Sequence, residues 1–145
     1  MMMGPAEIAT LIPHEGTMSL LAEILRWDAN AIRCVASSHH NPANPLRRGG
    51  RLHAVCGIEY ASQAMAAHGR LAGGIDRRPR GGYLVSVRDV VCHVAYLDDL
   101  ADDIVVDAEK LSGDGLSVIY SFRLGSGDRE LLRGRAAVVL DADKA

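Results

Sequence analysis

The chain has 145 residues, of which 48% are hydrophobic and 23% charged, with a formal net charge of -2. That length favours one domain, large enough to bury roughly 68–70% of its unfolded surface. The mild negative charge argues against bulk nucleic acid or an anionic membrane as partner, and no run approaches the ~20 apolar residues that span a bilayer.

One Phe and one Trp leave the core to aliphatic and alanine-rich packing. Cys34, Cys56 and Cys92 are too few and too scattered for a disulfide framework or a zinc site. They read as reduced, buried thiols, and with no charged and apolar leader pattern at the start they point to the cytoplasm.

Residues 1–15 offer only an apolar patch at Ile8, Leu11 and Ile12, closed by Pro13 and Gly16. Thr17 is placed to cap a short helix with Met18, Leu21 and Ile24 on one face. From Leu25 to Ala36 the alternation of Ile32, Cys34 and Ala36 predicts a strand, kinked or turned at Asp28-Ala29-Asn30. Ser37 to Gly50, with two prolines, two asparagines and two histidines, is an irregular loop.

Leu52 to Gly69 is long, rich in Ala and Met, and closes on glycine, which predicts a helix. Between Arg51 and Arg70 its only charged residue is Glu59, so the helix is expected to be surrounded by protein. A basic loop (71–82) follows, then strands over Tyr83–Val94, Ile104–Lys110, Leu116–Leu124 and Leu131–Leu140. Glycine turns at 112–115 and 125–128 join the later ones. One long helix and a strand meander predict an α+β fold, an antiparallel sheet curled around the helix, with open edges or faces left for a dimer.

Glu59 is the first candidate for chemistry. A carboxyl group lodged among apolar neighbours is expected to titrate above about 4.3 and can protonate a leaving group near neutral pH. Equally, it can lie on the one exposed stripe or pair with a loop arginine. Gln63, one turn on, can hydrogen-bond the same site or be an ordinary polar contact. His39 and His40 open the irregular loop; an imidazole near pKa 6.5 is the natural base for a proton alpha to a thioester, although a loop histidine is more often solvated. His14 and His68 are expected to orient the N-terminal turn and to close the helix.

Arg47, Arg48 and Arg51, with Arg77, Arg78 and Arg80, gather positive charge in the loops flanking the helix and suit a phosphate or acidic partner, or simply solvent. The helix-start amides near Ala54 and Val55 can donate to a carbonyl or phosphate oxygen. The histidines lack metal-binding spacing, and no phosphate loop, dinucleotide fingerprint or nucleophile elbow is present, so no metal or other cofactor is expected.

Three stretches carry a family resemblance. Leu11-Ile-Pro-His14 with Met18-Ser-Leu-Leu21, the loop His39–Leu46 (HHNPANPL) and Gly57-Ile-Glu59-Tyr-Ala-Ser-Gln63 resemble three segments of one family. These are the "LPH…MLLLD" segment, the "HFPGxP" loop and the "E-x-x-x-Q" helix of the 3-hydroxyacyl-(acyl carrier protein) dehydratases, the FabA/FabZ-like hot-dog family. The likeness is nearer to the branch serving aryl-polyene and related pathways. The loop is longer than in the housekeeping enzymes, and Leu52-His53-Ala54 replaces their Met-Pro-Gly helix start.

The resemblance implies a hot-dog domain, a homodimer or a heterodimer with a related dehydratase, and dehydration of 3-hydroxyacyl thioesters on phosphopantetheine-bearing acyl carrier protein. It gives Glu59 the role of acid and His39 or His40 that of base, facing each other across two subunits. A thioesterase and a non-catalytic partner subunit are the rival readings. Free thiol without enoyl product would mark the first, and a Glu59→Gln variant with full activity the second.

Overall fold

Period-2 alternation in the second half of the chain becomes one antiparallel sheet. In a computed structural model of the protein, residues 2–12, 16–72, 81–113 and 117–141 are described. The strands are β1 (Glu23–Trp27), β2 (Ala31–Ala36), β3 (Gly81–Cys92), β4 (Ile104–Gly113), β5 (Ser117–Ser126) and β6 (Arg129–Asp141), ordered β1-β2-β4-β5-β6-β3. Among the described residues there are two α-helices, the single turn α1 (Pro5–Ile8) and the long α2 (Gly57–Ala72).

The sheet buries one face. Ile32, Cys34 and Ala36 of β2, Ile104, Val106 and Ala108 of β4, and Val118, Tyr120, Phe122 and Leu124 of β5 form the core with Tyr60, Ala61, Ala64, Met65, Ala67 and Leu71 of α2. A fully buried Leu, Ile or Phe contributes about 1.5–3 kcal/mol over its exposed state. Of the three cysteines expected to be buried only Cys34 is, and burial pushes its thiol up to about 12, which keeps it protonated and unreactive; Cys56 is half-buried and Cys92 exposed. Ile8 and Ile12 of the N-terminal patch seat in the same core.

The turn expected at Asp28–Asn30 is present and splits the segment into a hairpin of two strands: Asp28 Oδ1 accepts from the amides of Asn30 and Ala31 at 2.8 and 2.9 Å and closes it. Two other expectations change. The short helix expected after Thr17 is only a 3₁₀ turn at Gly16–Met18, because Ile24 pairs into β1 against Cys34. The long helix starts at Gly57, later than Leu52. Residues 52–54 are drawn instead into a short antiparallel pairing with 95–97, in which Ala54 N donates to Ala95 O and Leu97 N to Leu52 O. Tertiary pairing overrides helix propensity there. Gly69 then lies inside the helix, which runs to Ala72.

Gly57 sits where α2 meets the sheet. A Cβ there would stand 2.4 Å from Leu132 Cδ2 and 3.0 Å from Leu124 Cδ2. Gly57→Ala is therefore expected to destabilise the fold by about 1–3 kcal/mol, read from denaturant unfolding.

His14, Arg77, Arg78, Arg80 and the end of the 112–115 turn lie outside the described residues.

Candidate active site

The loop after β2 is irregular but densely tied. Its first residues form a 3₁₀ turn, Ser38–His40. Each Asn of the two Asn-Pro pairs closes an Asx turn, Asn41 Oδ1 accepting from Ala43 N and Asn44 Oδ1 from Leu46 N, both at 2.9 Å. Buried Asn44 donates from Nδ2 to the Ser38 carbonyl at 3.0 Å and to the Tyr60 hydroxyl at 3.1 Å. Ser38 spends its proton on the Leu20 carbonyl (2.8 Å), so the Tyr60 hydroxyl donates to Ser38 Oγ, also at 2.8 Å. Asn44, Tyr60 and Ser38 thus dock the loop on the first turns of α2. Sequence reasoning missed this network, although the Asn-Pro repeats signalled its turns.

The two histidines part company here. His39 is fully buried and His40 exposed, their rings 3.9 Å apart. His39 Nε2 lies 3.0 Å from the Asp102 carbonyl. A carbonyl only accepts, so Nε2 carries the proton and Nδ1 holds the lone pair. That Nδ1 is buried and has no hydrogen-bond partner among the described residues. Burial holds the imidazole below the ordinary histidine range; the His40 ring and the Arg47 charge push the same way, and the Asp102 carbonyl and Asp103 oppose them. His39 is accordingly neutral at pH 7 with its basic nitrogen bare. His40 Nε2 donates to the Leu100 carbonyl.

Glu59 lies on a half-buried stripe of α2 with Ile58, Ser62 and Ala66, near Val55, which is 57% exposed. The helix is therefore not enclosed by its own chain, and this correction leaves Glu59 half-buried. Consecutive helical residues point about 100° apart. Tyr60 faces inward and holds the histidine loop, so Glu59 points to a different side.

Three other candidates take structural places. Gln63 is fully buried, its Oε1 accepting from Leu20 N at 2.9 Å and its Nε2 donating to Met18 O at 2.6 Å, so both ends of the amide are spent inside the chain. The Ala54 amide is likewise taken, by Ala95 O at 2.9 Å. Arg47 is folded onto its own loop, donating to the carbonyls of His39, Asn41 and Gly50 at 2.8, 3.0 and 2.8 Å. Arg48 remains exposed, one nitrogen touching the Pro45 and Arg47 carbonyls. Arg51 is bound to Asp98 and Asp99 and lies 3.7 Å over the Tyr96 ring.

His68 is a core residue. Its Nε2 donates to the Asp28 carbonyl at 2.9 Å, so Nδ1 accepts from the Tyr120 hydroxyl at 2.7 Å. Burial pushes Tyr120 up to about 12 and holds His68 below the ordinary histidine range. Groups with lowered folded pKa bind fewer protons folded than unfolded between the two values. Stability is then full above about pH 6.5 and falls as pH drops through the lowered pKa values of His68 and His39. Thermal melts are expected to be flat from pH 8 to 7 and to fall towards pH 5, less steeply in His68→Gln, where only the His39 contribution remains.

A groove of about 690 Å3, lined by Arg33, Asp107, Arg123, Glu130 and their neighbours, opens on the sheet face away from α2. Part of its charge pairs across it, Arg33 with Asp107 at 2.7 Å and Glu130 with Arg123 at 3.1 Å and with Arg133 at 3.3 Å. None of the candidate acid, base or amide groups lines it. Among the described residues no cluster of three or more His, Cys, Asp or Glu side chains is placed to hold a metal ion, and no helix is long and apolar enough to cross a membrane.

An antiparallel six-stranded sheet packed on one central helix is the hot-dog fold, shared by thioester dehydratases and thioesterases. The likeness to solved structures agrees. The dehydratase heterocomplex ApeI:P from Xenorhabdus doucetiae superimposes with a TM-score of 0.83 at 19% identity, over 94% of this chain and 92% of that one. AziG of S. sahachiroi follows at 0.66 and 17% (90% and 97% covered), and zebra fish thioesterase superfamily member 2 at 0.64 and 16% (93% and 94% covered). The sequence itself matches the ApeP-like family, described as ApeP dehydratase, over residues 6–145. The chain belongs to that family. No curated protein matches it.

Proposed function

We propose that the protein removes water from 3-hydroxyacyl thioesters held on an acyl carrier protein, giving trans-2-enoyl thioesters in fatty acid or aryl-polyene-like synthesis. The observation that carries this reading is the neutral, buried His39 with a bare Nδ1, in a chain of a dehydratase family. Its lone pair takes the alpha proton. The electrons left behind form the new Cα=Cβ bond as the beta C–O bond breaks, and Glu59 protonates the departing hydroxyl, which leaves as water. His40, exposed beside it, is the alternative base.

On this reading the acid comes from Glu59 of a second subunit, because the residue of α2 that meets the histidine loop of its own chain is Tyr60, about 100° around the helix from Glu59. That subunit is a second copy or a related dehydratase, as two dehydratases meet in the ApeI:P heterocomplex. It covers the half-buried stripe of α2 and exposed Val55. The Val55 amide is left to steady the thioester carbonyl as charge develops on its oxygen. Exposed Arg48 receives the phosphopantetheine phosphate or an acidic face of the carrier.

The test is mass spectrometry of a 3-hydroxyacyl carrier protein incubated with the purified protein, alone and with a related dehydratase from the same source. Loss of one water with the thioester intact is expected. Free carrier thiol without enoyl product would make the protein a thioesterase, and turnover only with the second dehydratase, undiminished in Glu59→Gln, would make it a non-catalytic subunit.

A further inference from the structure

Arg47 lies outside the chemistry proposed for His39, yet it is the side chain that holds the backbone beneath that imidazole. Its guanidinium reaches both limbs of the loop, Nη2 to His39 O, Nε to Asn41 O and Nη1 to Gly50 O. The far limb is built for this. Arg48 and Arg51 pair as an antiparallel bridge, N to O at 2.8 and 3.0 Å, around Gly49 and Gly50 at φ of 59° and 77°. Left-handed values at both central positions suit glycine and turn the Gly50 carbonyl back to Arg47. A planar fork spans three such acceptors at once; an ammonium group offers its donors from a single point.

On the other side of the imidazole, the carbonyls of Leu100 and Asp102 take the Nε2 protons of His40 and His39. His39 is thus gripped twice, at its backbone by Arg47 and at its ring by the 100–102 segment. We propose that Arg47 is a positioning residue: it fixes the loop so that His39 stays in the Nε2–H form with the Nδ1 lone pair presented for proton removal. This rests on His39 being the base. The groups facing the ring are His40, tilted 39° against it, Asp103, the Asp102 carbonyl and Arg47 itself. Losing Arg47 therefore removes both a mechanical hold and one positive charge.

Two variants separate these effects. Arg47→Lys keeps the charge and loses the fork; Arg47→Gln loses both. Long-range 1H–15N NMR reads which His39 nitrogen carries the proton and where the ring titrates, with or without substrate. Wild-type His39 is expected as the Nε2–H tautomer titrating below the ordinary range. Arg47→Gln is expected to mix the tautomers and move the titration upward, whereas Arg47→Lys mixes them with less change in titration.

In dehydration assays, misplacing the base is expected to lower kcat by up to about 10²-fold in Arg47→Gln, with KM changed by less than about twofold, and by less in Arg47→Lys. Folded variants with wild-type tautomer and titration overturn the proposal, as does an Nδ1–H tautomer in the wild type, which needs no variant. Should Arg47→Gln not fold, Arg47→Lys carries the comparison. A wild type that leaves 3-hydroxyacyl thioesters unchanged, yet shows these NMR effects, defeats the proposed reaction and leaves the positioning role standing.

Discussion

Replacing His39 by glutamine is expected to lower kcat for dehydration by about 10²–10⁴-fold while the protein stays folded. Glutamine is chosen because its amide can still donate to the Asp102 carbonyl where the Nε2 proton of His39 now sits, 3.0 Å away. What it lacks is a basic nitrogen at the buried Nδ1 position. His40→Gln, at the exposed neighbour, should cost far less; the reverse order of losses would move the base to His40. The pH profile is a second reading. A base held below the ordinary histidine range is already unprotonated at neutrality, so the limb of kcat/KM that reports it should lie on the acid side of about 6.5, while any alkaline limb reports the general acid. A profile still rising at pH 8 would require a different base.

Much of the fold was legible because alternation survives in the sequence. Ile104, Val106 and Ala108, or Val118, Tyr120, Phe122 and Leu124, face inward as their spacing predicts. Boundaries were less legible where a distant partner decides. Nothing local tells Leu52 and Ala54 to pair with Ala95 and Leu97 in place of joining α2. The site divides the same way. The resemblance picked out a histidine, but adjacent residues in a 3₁₀ turn face different ways, and the carbonyls that sort His39 from His40 lie 63 and 60 residues along the chain. Gln63 was left open between two roles for the same reason. A polar residue near a candidate acid looks available until its amide proves to be satisfied by Met18 and Leu20, 45 and 43 residues away.

Glu59→Gln is expected to lose as much activity as the His39 variant, about 10²–10⁴-fold in kcat with little change in KM, because an amide of the same shape can donate a hydrogen bond but has no acidic proton to transfer to the leaving hydroxyl. Losses of equal size place both residues in one site, and subunit mixing decides whether the acid of one subunit serves the base of another. The inward-facing Tyr60 ties the histidine loop to α2, and Glu59 sits on the half-buried stripe around the helix from it. If the protein assembles as a homodimer, mixing His39→Gln and Glu59→Gln subunits restores a complete site in each hybrid. One chain then brings an intact Glu59 and the other an intact His39. Random exchange makes half the dimers hybrid with one of two sites whole, so roughly a quarter of wild-type activity should return. No recovery in hybrids shown to form would place acid and base on the same chain. Recovery only when a related dehydratase is added would instead make the natural partner that second protein.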